Sequence, residues 1–364
     1  FSGARLSFYL GIFSEAGQIW IWNIMSVLGE IGARSESAIR TAIIDPQDRF
    51  FITVSDKTIN VQSLLAQRQI SSMSHVDGIS SVSLSPDGNS IASTSYDYTV
   101  RIWDVLTGQE LFHKELINSM ATSVDFSPDG KYILVGYYDQ ISRIWDISTG
   151  SEVARFVCMN MNAANFVSFS PDGKLAFTGC RFDAGYIWDV STGEQISYAK
   201  GWFYGGNAMF SPDNRYMASA ISGSPSDAVV WDILSGKELF RINHKDNVAF
   251  VTFSPSGNFI ASASYDHTIK VWDVHNRKKV LTLFHESGVT SLDFSADENF
   301  LVSGSVDKTV RVWDLNSKQE VARYFHSGAI TSVSFSPTGK YIISSSLEAL
   351  PFLTGEGYQN MQAK

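Results

Sequence analysis

The stretch 242–274 breaks into three short apolar runs, 248–253, 259–264 and 268–274, separated by Ser-Pro-Ser-Gly and Tyr-Asp-His. The runs are rich in β-branched and aromatic residues and the separators are turn formers, so the pattern predicts three antiparallel strands joined by tight turns. The segment 79–114 shows the same order with a fourth run added: 79–84, 90–95, 99–103 and 110–114. These are strands a, b, c and d of one unit. Strands b and c, as in 260–264 and 269–272, are apolar on both faces, which a sheet covered on both sides requires.

Four polar positions recur within this frame. His244, Ser262, Asp266 and Trp272 are spaced by 18, 4 and 6 residues, and the spacing repeats at His75, Ser93, Asp97, Trp103 and at His285, Ser303, Asp307, Trp313. Aligned on Trp-Asp pairs, the chain steps through Trp103, Trp145, Trp188, Trp231, Trp272 and Trp313 at intervals of 42, 43, 43, 41 and 41 residues. Counting backward from Trp103 reaches Val61 and then Trp22, for eight equivalent third strands. A period of about 40–45 residues ending in Trp-Asp is the mark of a four-stranded propeller blade. With its SPDG turns at 85–88, 127–130 and 170–173 and its Thr-Gly turns at 149–150 and 192–193, the chain resembles the WD-repeat β-propeller family over nearly its whole length.

The expected fold is therefore all-β, a propeller of four-stranded antiparallel blades within residues 1–346. Seven complete units, two to eight, run from about 39 to 324. Residues 6–34 read as strands b, c and d of a further unit, 329–335 as a strand a, and 341–346 as a strand b. Pairing the C-terminal strand a with N-terminal strands b, c and d closes an eight-bladed ring and leaves one strand b surplus; a segment of a longer array is the alternative. Residues 347–364 lose the pattern and read as a tail. The chain opens on Phe1 rather than Met, as a fragment or a module of a longer protein would.

The resemblance implies that the recurring His, Ser, Asp and Trp form a hydrogen-bonded chain inside each blade. Side-chain chemistry agrees: Asp266 at a tight turn accepts from His244, and Ser262 bridges to the Trp272 indole, satisfying buried polar groups. A catalytic Ser-His-Asp reading does not suit three copies around one ring, nor a Trp at constant offset. The spacing is broken in the middle of the chain. Counting places Ile117, Asn160 and Gly201 at the His position of units four, five and six, and Val135 and Gly179 at the Ser position of units four and five. Asp139 and Asp183 remain, and Asp227 stands four before Trp231. Unit two has Ser35 and Val61 in place of His and Trp. These units are expected to hold by packing more than by hydrogen bonds.

Composition narrows the function. Lys and Arg number 28 against 37 Asp and Glu, a net charge of −9 without a basic block, which disfavours nucleic acid. No apolar run nears the ~20 residues that span a bilayer. Cys158 and Cys180 form no CxxC pair and read as free, half-buried thiols in a reducing, cytoplasmic setting, with the nucleus left open. No Walker loop, GxGxxG, HExxH or GxSxG occurs, and the seven histidines show no paired metal spacing, so no cofactor and no metal is expected. The turn aspartates read as acceptors for turn amides.

The residues before each turn Asp form one further series: Ser55, Tyr96, Tyr138, Phe182, Ser226, Tyr265 and Val306. In the resembling fold this position lies on the face of the b–c and d–a connections, near the channel mouth. Aromatic and Arg side chains dominate binding hot spots. Tyr96, Tyr138, Phe182, Tyr265, Arg181, Trp202 and Tyr204 are thus the candidate partner-binding set. The resulting expectation is a non-enzymatic scaffold for a protein or peptide, basic or neutral given the charge. An enzyme using the channel and an architectural component that contacts partners through its rim are the alternatives.

Overall fold

The structure, a computed structural model, describes residues 17–23, 29–35 and 39–347, apart from 65, 67, 117, 160–162, 182–183, 201–207 and 222–225. Its strands are laid out as the apolar runs predict. Unit three consists of Ile79–Leu84, Ser90–Ser95, Thr99–Asp104 and Glu110–Glu115, each antiparallel to the next. Units two and four to eight repeat that four-stranded order, so seven sheets are continuous in sequence. Strand b is buried along nearly its whole length, whereas strand d alternates exposed and partly buried positions, as an outer edge does.

The remaining four-stranded sheet joins the two ends of the chain in the order Gly29–Ser35, Gly17–Asn23, Tyr341–Leu347, Ile330–Phe335. This corrects the expected closure. Strands a and b both come from the C-terminus, and the N-terminus supplies only c and d. The strand at Tyr341–Leu347 is not surplus: Ile342 pairs with Trp22 on one side and Phe335 on the other. Its Ile-Ile-Ser-Ser-Ser run has the composition of a strand b, like Ile260–Ser264. The N-terminal strand b expected before Gly17, and the tail beyond Leu347, lie outside the described residues.

One sheet cannot cover both of its faces, and buried clusters accordingly sit between neighbouring units. Val302, Val310 and Val312 of unit eight pack on Ile330, Val333 and Ile342 of the joined sheet. On its other side Ile19, Ile21 and Ile343 pack on Ala42, Ile44 and Phe51 of unit two. Inner strands are also tied across units by polar side chains. Asp125 accepts the Phe169 N–H at 2.8 Å, Asp293 that of Phe335 at 2.8 Å, and Ser291 that of Val333 at 3.2 Å. The SPDG turns use their residues as expected: Ser127 donates to Asp129 at 2.6 Å, Asp129 accepts the Lys131 N–H at 3.1 Å, and Gly130 takes φ 71°, which favours glycine.

Candidate docking face and the locks that hold it

Each described His lock fastens the end of one unit's outer strand to the next unit's strand b. In unit three, His75 Nδ1 lies 3.0 Å from Asp97 and Nε2 2.7 Å from Ser93, which accepts the Trp103 indole N–H at 2.8 Å. Thr99 donates to the same aspartate at 2.6 Å and the Val76 N–H reaches it at 3.1 Å. Unit eight repeats the set: His285 to Asp307 at 2.9 Å and Ser303 at 2.7 Å, with Trp313 to Ser303 at 2.8 Å. Burial drives the His75, His244 and His285 pKa values down, against the adjacent carboxylates, so each ring is the neutral Nδ1–H tautomer donating to its aspartate. Burial alone would raise Asp97 and Asp266, but hydroxyl, amide and imidazole donors outweigh it and hold both at about 2. Ser93, Ser262 and Ser303 are fully buried, so no substrate reaches them as nucleophiles.

Unit seven departs from expectation in one bond. His244 meets Asp266 at 2.9 Å and Ser262 at 2.8 Å, but the Trp272 indole N–H finds no hydrogen-bond partner among the described residues. Its ring stacks on Phe240 of unit six instead, 5.7 Å between centroids and 16° between planes. A fourth lock falls at the chain junction, where His326 contacts Ser344 at 2.8 Å and Ser346 at 2.9 Å.

The middle units are not unlocked, contrary to expectation. In unit four the Trp145 indole donates to the Tyr137 hydroxyl at 3.2 Å, and Arg143 grips Asp139 at 2.6 and 3.2 Å. In unit six the buried Asp227 accepts from Asn243 at 3.1 Å and Arg241 at 3.4 Å, while Trp231 reaches Ser219 at 3.4 Å. In unit two Arg40 donates to Asp56 at 2.6 Å.

Unit five is locked covalently: Cys158 and Cys180 form a disulfide, with Cα atoms 5.8 Å apart. This overturns the reading of two free, half-buried thiols. The two are far from any CxxC spacing because the bridge joins different units, and both sulfurs are buried. The intracellular expectation loses the support it drew from free thiols. Counting had also misplaced the His position. The Cys158 N–H bonds the Gln140 carbonyl and the Leu116 N–H that of Tyr98, as the His75 N–H bonds Lys57, so Leu116 and Cys158 hold that position. Ile117, Asn160 and Gly201 lie outside the described residues. Likewise Trp188 pairs with Ala176 as Trp103 pairs with Ile91, which puts Thr178, not Gly179, at the Ser position.

Against this frame stand the candidate docking residues. Tyr96 is half-buried, its ring against Gly78, where an added Cβ would lie 3.1 Å away. Burial raises its hydroxyl pKa, and Asp56, to which Arg40 donates at 2.6 Å, stands with Tyr96 around Gly78. Tyr138 is 42 % and Tyr265 45 % exposed, the latter lying over Gly288 of the next unit. Arg181 is partly buried; Phe182, Trp202 and Tyr204 lie outside the described residues. Two exposed residues beside the unit-three lock lie outside the candidate set, Val76 (78 % exposed) and Tyr98 (41 %). The available signal was an apolar Val76 directly after His75, where Lys245 and Glu286 follow the other histidines.

The family model of the WD domain, G-beta repeat, matches residues 67–104, 111–146, 236–273, 277–314 and 318–348. The chain belongs to the WD-repeat family. The WD-repeat match skips 147–235, which holds the disulfide-locked unit and most of unit six. A 44-residue stretch is 46 % identical to ribosome biogenesis protein ERB1 of Scheffersomyces stipitis, covering 12 % of this chain and 5 % of that protein. A 63-residue stretch is 35 % identical to a chromatin assembly factor 1 component of Gallus gallus, covering 17 % and 11 %. This WD-repeat chain thus spans a small fraction of the length of those relatives. The crystal structure of the computationally designed Ika8 protein superposes with a TM-score of 0.72 over 85 % of this chain and 96 % of that one; at 24 % identity the likeness is one of fold.

Proposed function

We propose that this WD-repeat chain is a non-catalytic scaffold, a closed eight-bladed ring within residues 1–346 that presents the face around Tyr96, Tyr138 and Tyr265 to a protein or peptide. The observation that carries the reading is that Tyr96, Arg40 and Asp56 gather around Gly78 while Tyr138 and Tyr265 stand partly exposed on the equivalent turns of other units. Side chains held on a rigid ring lose little entropy on binding. Phe182, Arg181, Trp202 and Tyr204 extend the same face in this reading. Charges on the face alternate, with Asp77, Asp246 and Glu286 against Lys57, Lys245 and Lys308, so the preference for a basic or neutral peptide rests on the net charge of −9 alone. The relatives' names, ribosome biogenesis and chromatin assembly, suit a module that works inside assemblies.

The test is a binding titration with a partner recovered by affinity purification. Tyr138→Ala and Tyr96→Ala are expected to weaken affinity about tenfold, the scale of a hot-spot side chain, while Asp129→Ala and Thr192→Ala on the opposite face leave it unchanged. The reverse pattern moves the site. A rim reading has its own support, since Phe284 and Phe325 are about two-thirds exposed on the outer strands of units seven and eight; Phe325→Ala in the same titration separates the two.

A further inference from the structure

We infer that the Cys158–Cys180 bridge is a redox-controlled version of the His lock, so that the seam between units four and five opens and tightens with thiol–disulfide chemistry while its neighbours do not. The correspondence is positional. Cys158 holds the His position at the end of Glu152–Val157, shown by its N–H bond to Gln140. Cys180 pairs with Ala164 as Ser346 pairs with Ile330. Where His326 reaches Ser346 by a 2.9 Å hydrogen bond, unit five therefore carries a covalent link between the same two places. Asp183, at the aspartate position, lies outside the described residues, and the Trp and Ser positions are used differently. Trp188 stacks on Phe156 at 5.1 Å with its indole N–H unbonded among the described residues, and Thr178 turns to Ser142 of unit four at 2.7 Å.

Reduction by a dithiol breaks the S–S bond. Each sulfur gains one electron and one proton, and the reductant closes to its own disulfide. Two uncharged thiols in an apolar pocket lined by Phe156, Ala164 and Val167 replace the link with contacts alone. Because the bridge closes a loop of sequence separation 22 and is buried, its loss both loosens the native seam and enlarges the unfolded ensemble.

The experiment uses the full chain, air-oxidised or treated with dithiothreitol in native buffer. It is read by iodoacetamide labelling with mass spectrometry, by Tm, and by amide exchange. The oxidised chain is expected to take no label. The reduced chain takes two labels once unfolded, melts several degrees lower, and exchanges faster at Cys158 and in Leu175–Cys180, with Phe259–Ser264 unchanged. The Cys158→Ser/Cys180→Ser variant should match the reduced chain and ignore dithiothreitol. Free thiols in the oxidised chain, refusal of the native bridge to be reduced, or reduction that leaves Tm and exchange unchanged would each overturn the inference.

Discussion

In unit eight the corner between two blades is held by a neutral histidine, a carboxylate, a serine and an indole; in unit four the same corner carries Tyr137, Arg143 and Asp139, and in unit five a disulfide. The comparison separates what the fold demands from what the repeat signature records. A propeller blade needs its d–a connection fastened to the next strand b, because the buried polar groups there must find partners. It does not need one particular set of atoms. Units three and eight use the full shared set, unit seven uses it without the indole bond, and units four to six use three others; the family match still takes in unit four over 111–146 and skips unit five and most of unit six.

Ring closure underlies both kinds of unit, so disrupting it has the largest expected effect. Truncation after Ser327 removes both Ile330–Phe335 and Tyr341–Leu347 and uncovers faces on units eight and two. The single cooperative melt should become lower and broader by calorimetry; an unchanged melt would leave the two kinds of unit independent of closure.

Acid should act mainly on the histidine locks. Burial holds His326 at about 4, below the 6.5 of an unfolded histidine, so the folded chain refuses a proton that the unfolded chain accepts. Its contribution, up to about 3 kcal/mol, is present above pH 6.5 and lost as pH falls toward 4, and the depressed His75, His244 and His285 act in the same direction. Buried Asp293, raised to about 7 by desolvation, acts in the opposite direction over the same range, so the loss is read as the difference between the chain and His326→Gln in denaturant melts; a pH-independent difference would contradict the neutral assignment.

Smaller effects sharpen the contrast bond by bond. Tyr137→Phe should cost about 1 kcal/mol by stranding the Trp145 indole. Trp103→Phe loses an indole bond of 2.8 Å, whereas Trp272→Phe loses none, so beyond the shared change in ring size the first should cost about 1 kcal/mol more. Equal losses in chemical melts would put Trp272 back in its lock.

Much of this was legible in the sequence. Apolar runs and turn residues place the strands of unit three to within a residue, because both signals are local. The intact locks were legible because constant spacing survives wherever loop lengths do. What escaped depends on contacts between units. The His position of units four and five was miscounted once loop lengths changed, so Cys158 was not seen opposite Cys180. The arginines that grip Asp139 and Asp56 carry no spacing signature of their own. Tyr341–Leu347 looked surplus because its partners lie at the far end of the chain. In the proposed docking set, Tyr96 and Tyr138 were named from their shared place before the turn Asp, whereas the exposure of Val76 and Tyr98 is seen only in the structure.

The central claim, that the middle units exchanged one lock for another, is tested most directly by comparing Asp139→Ala with Asp266→Ala in denaturant melts. Asp266→Ala strands the His244 ring and the Lys245 amide, and should cost about 1–3 kcal/mol. Asp139→Ala leaves the buried Arg143 with Glu152 at 3.5 Å as its remaining ion pair among the described residues, beside the Tyr137 ring, and should cost a comparable amount. Comparable losses are the expected result; a loss at Asp139 below about 0.5 kcal/mol, the scale of an inert surface change, beside a full loss at Asp266 would show that unit four abandoned its lock instead of replacing it.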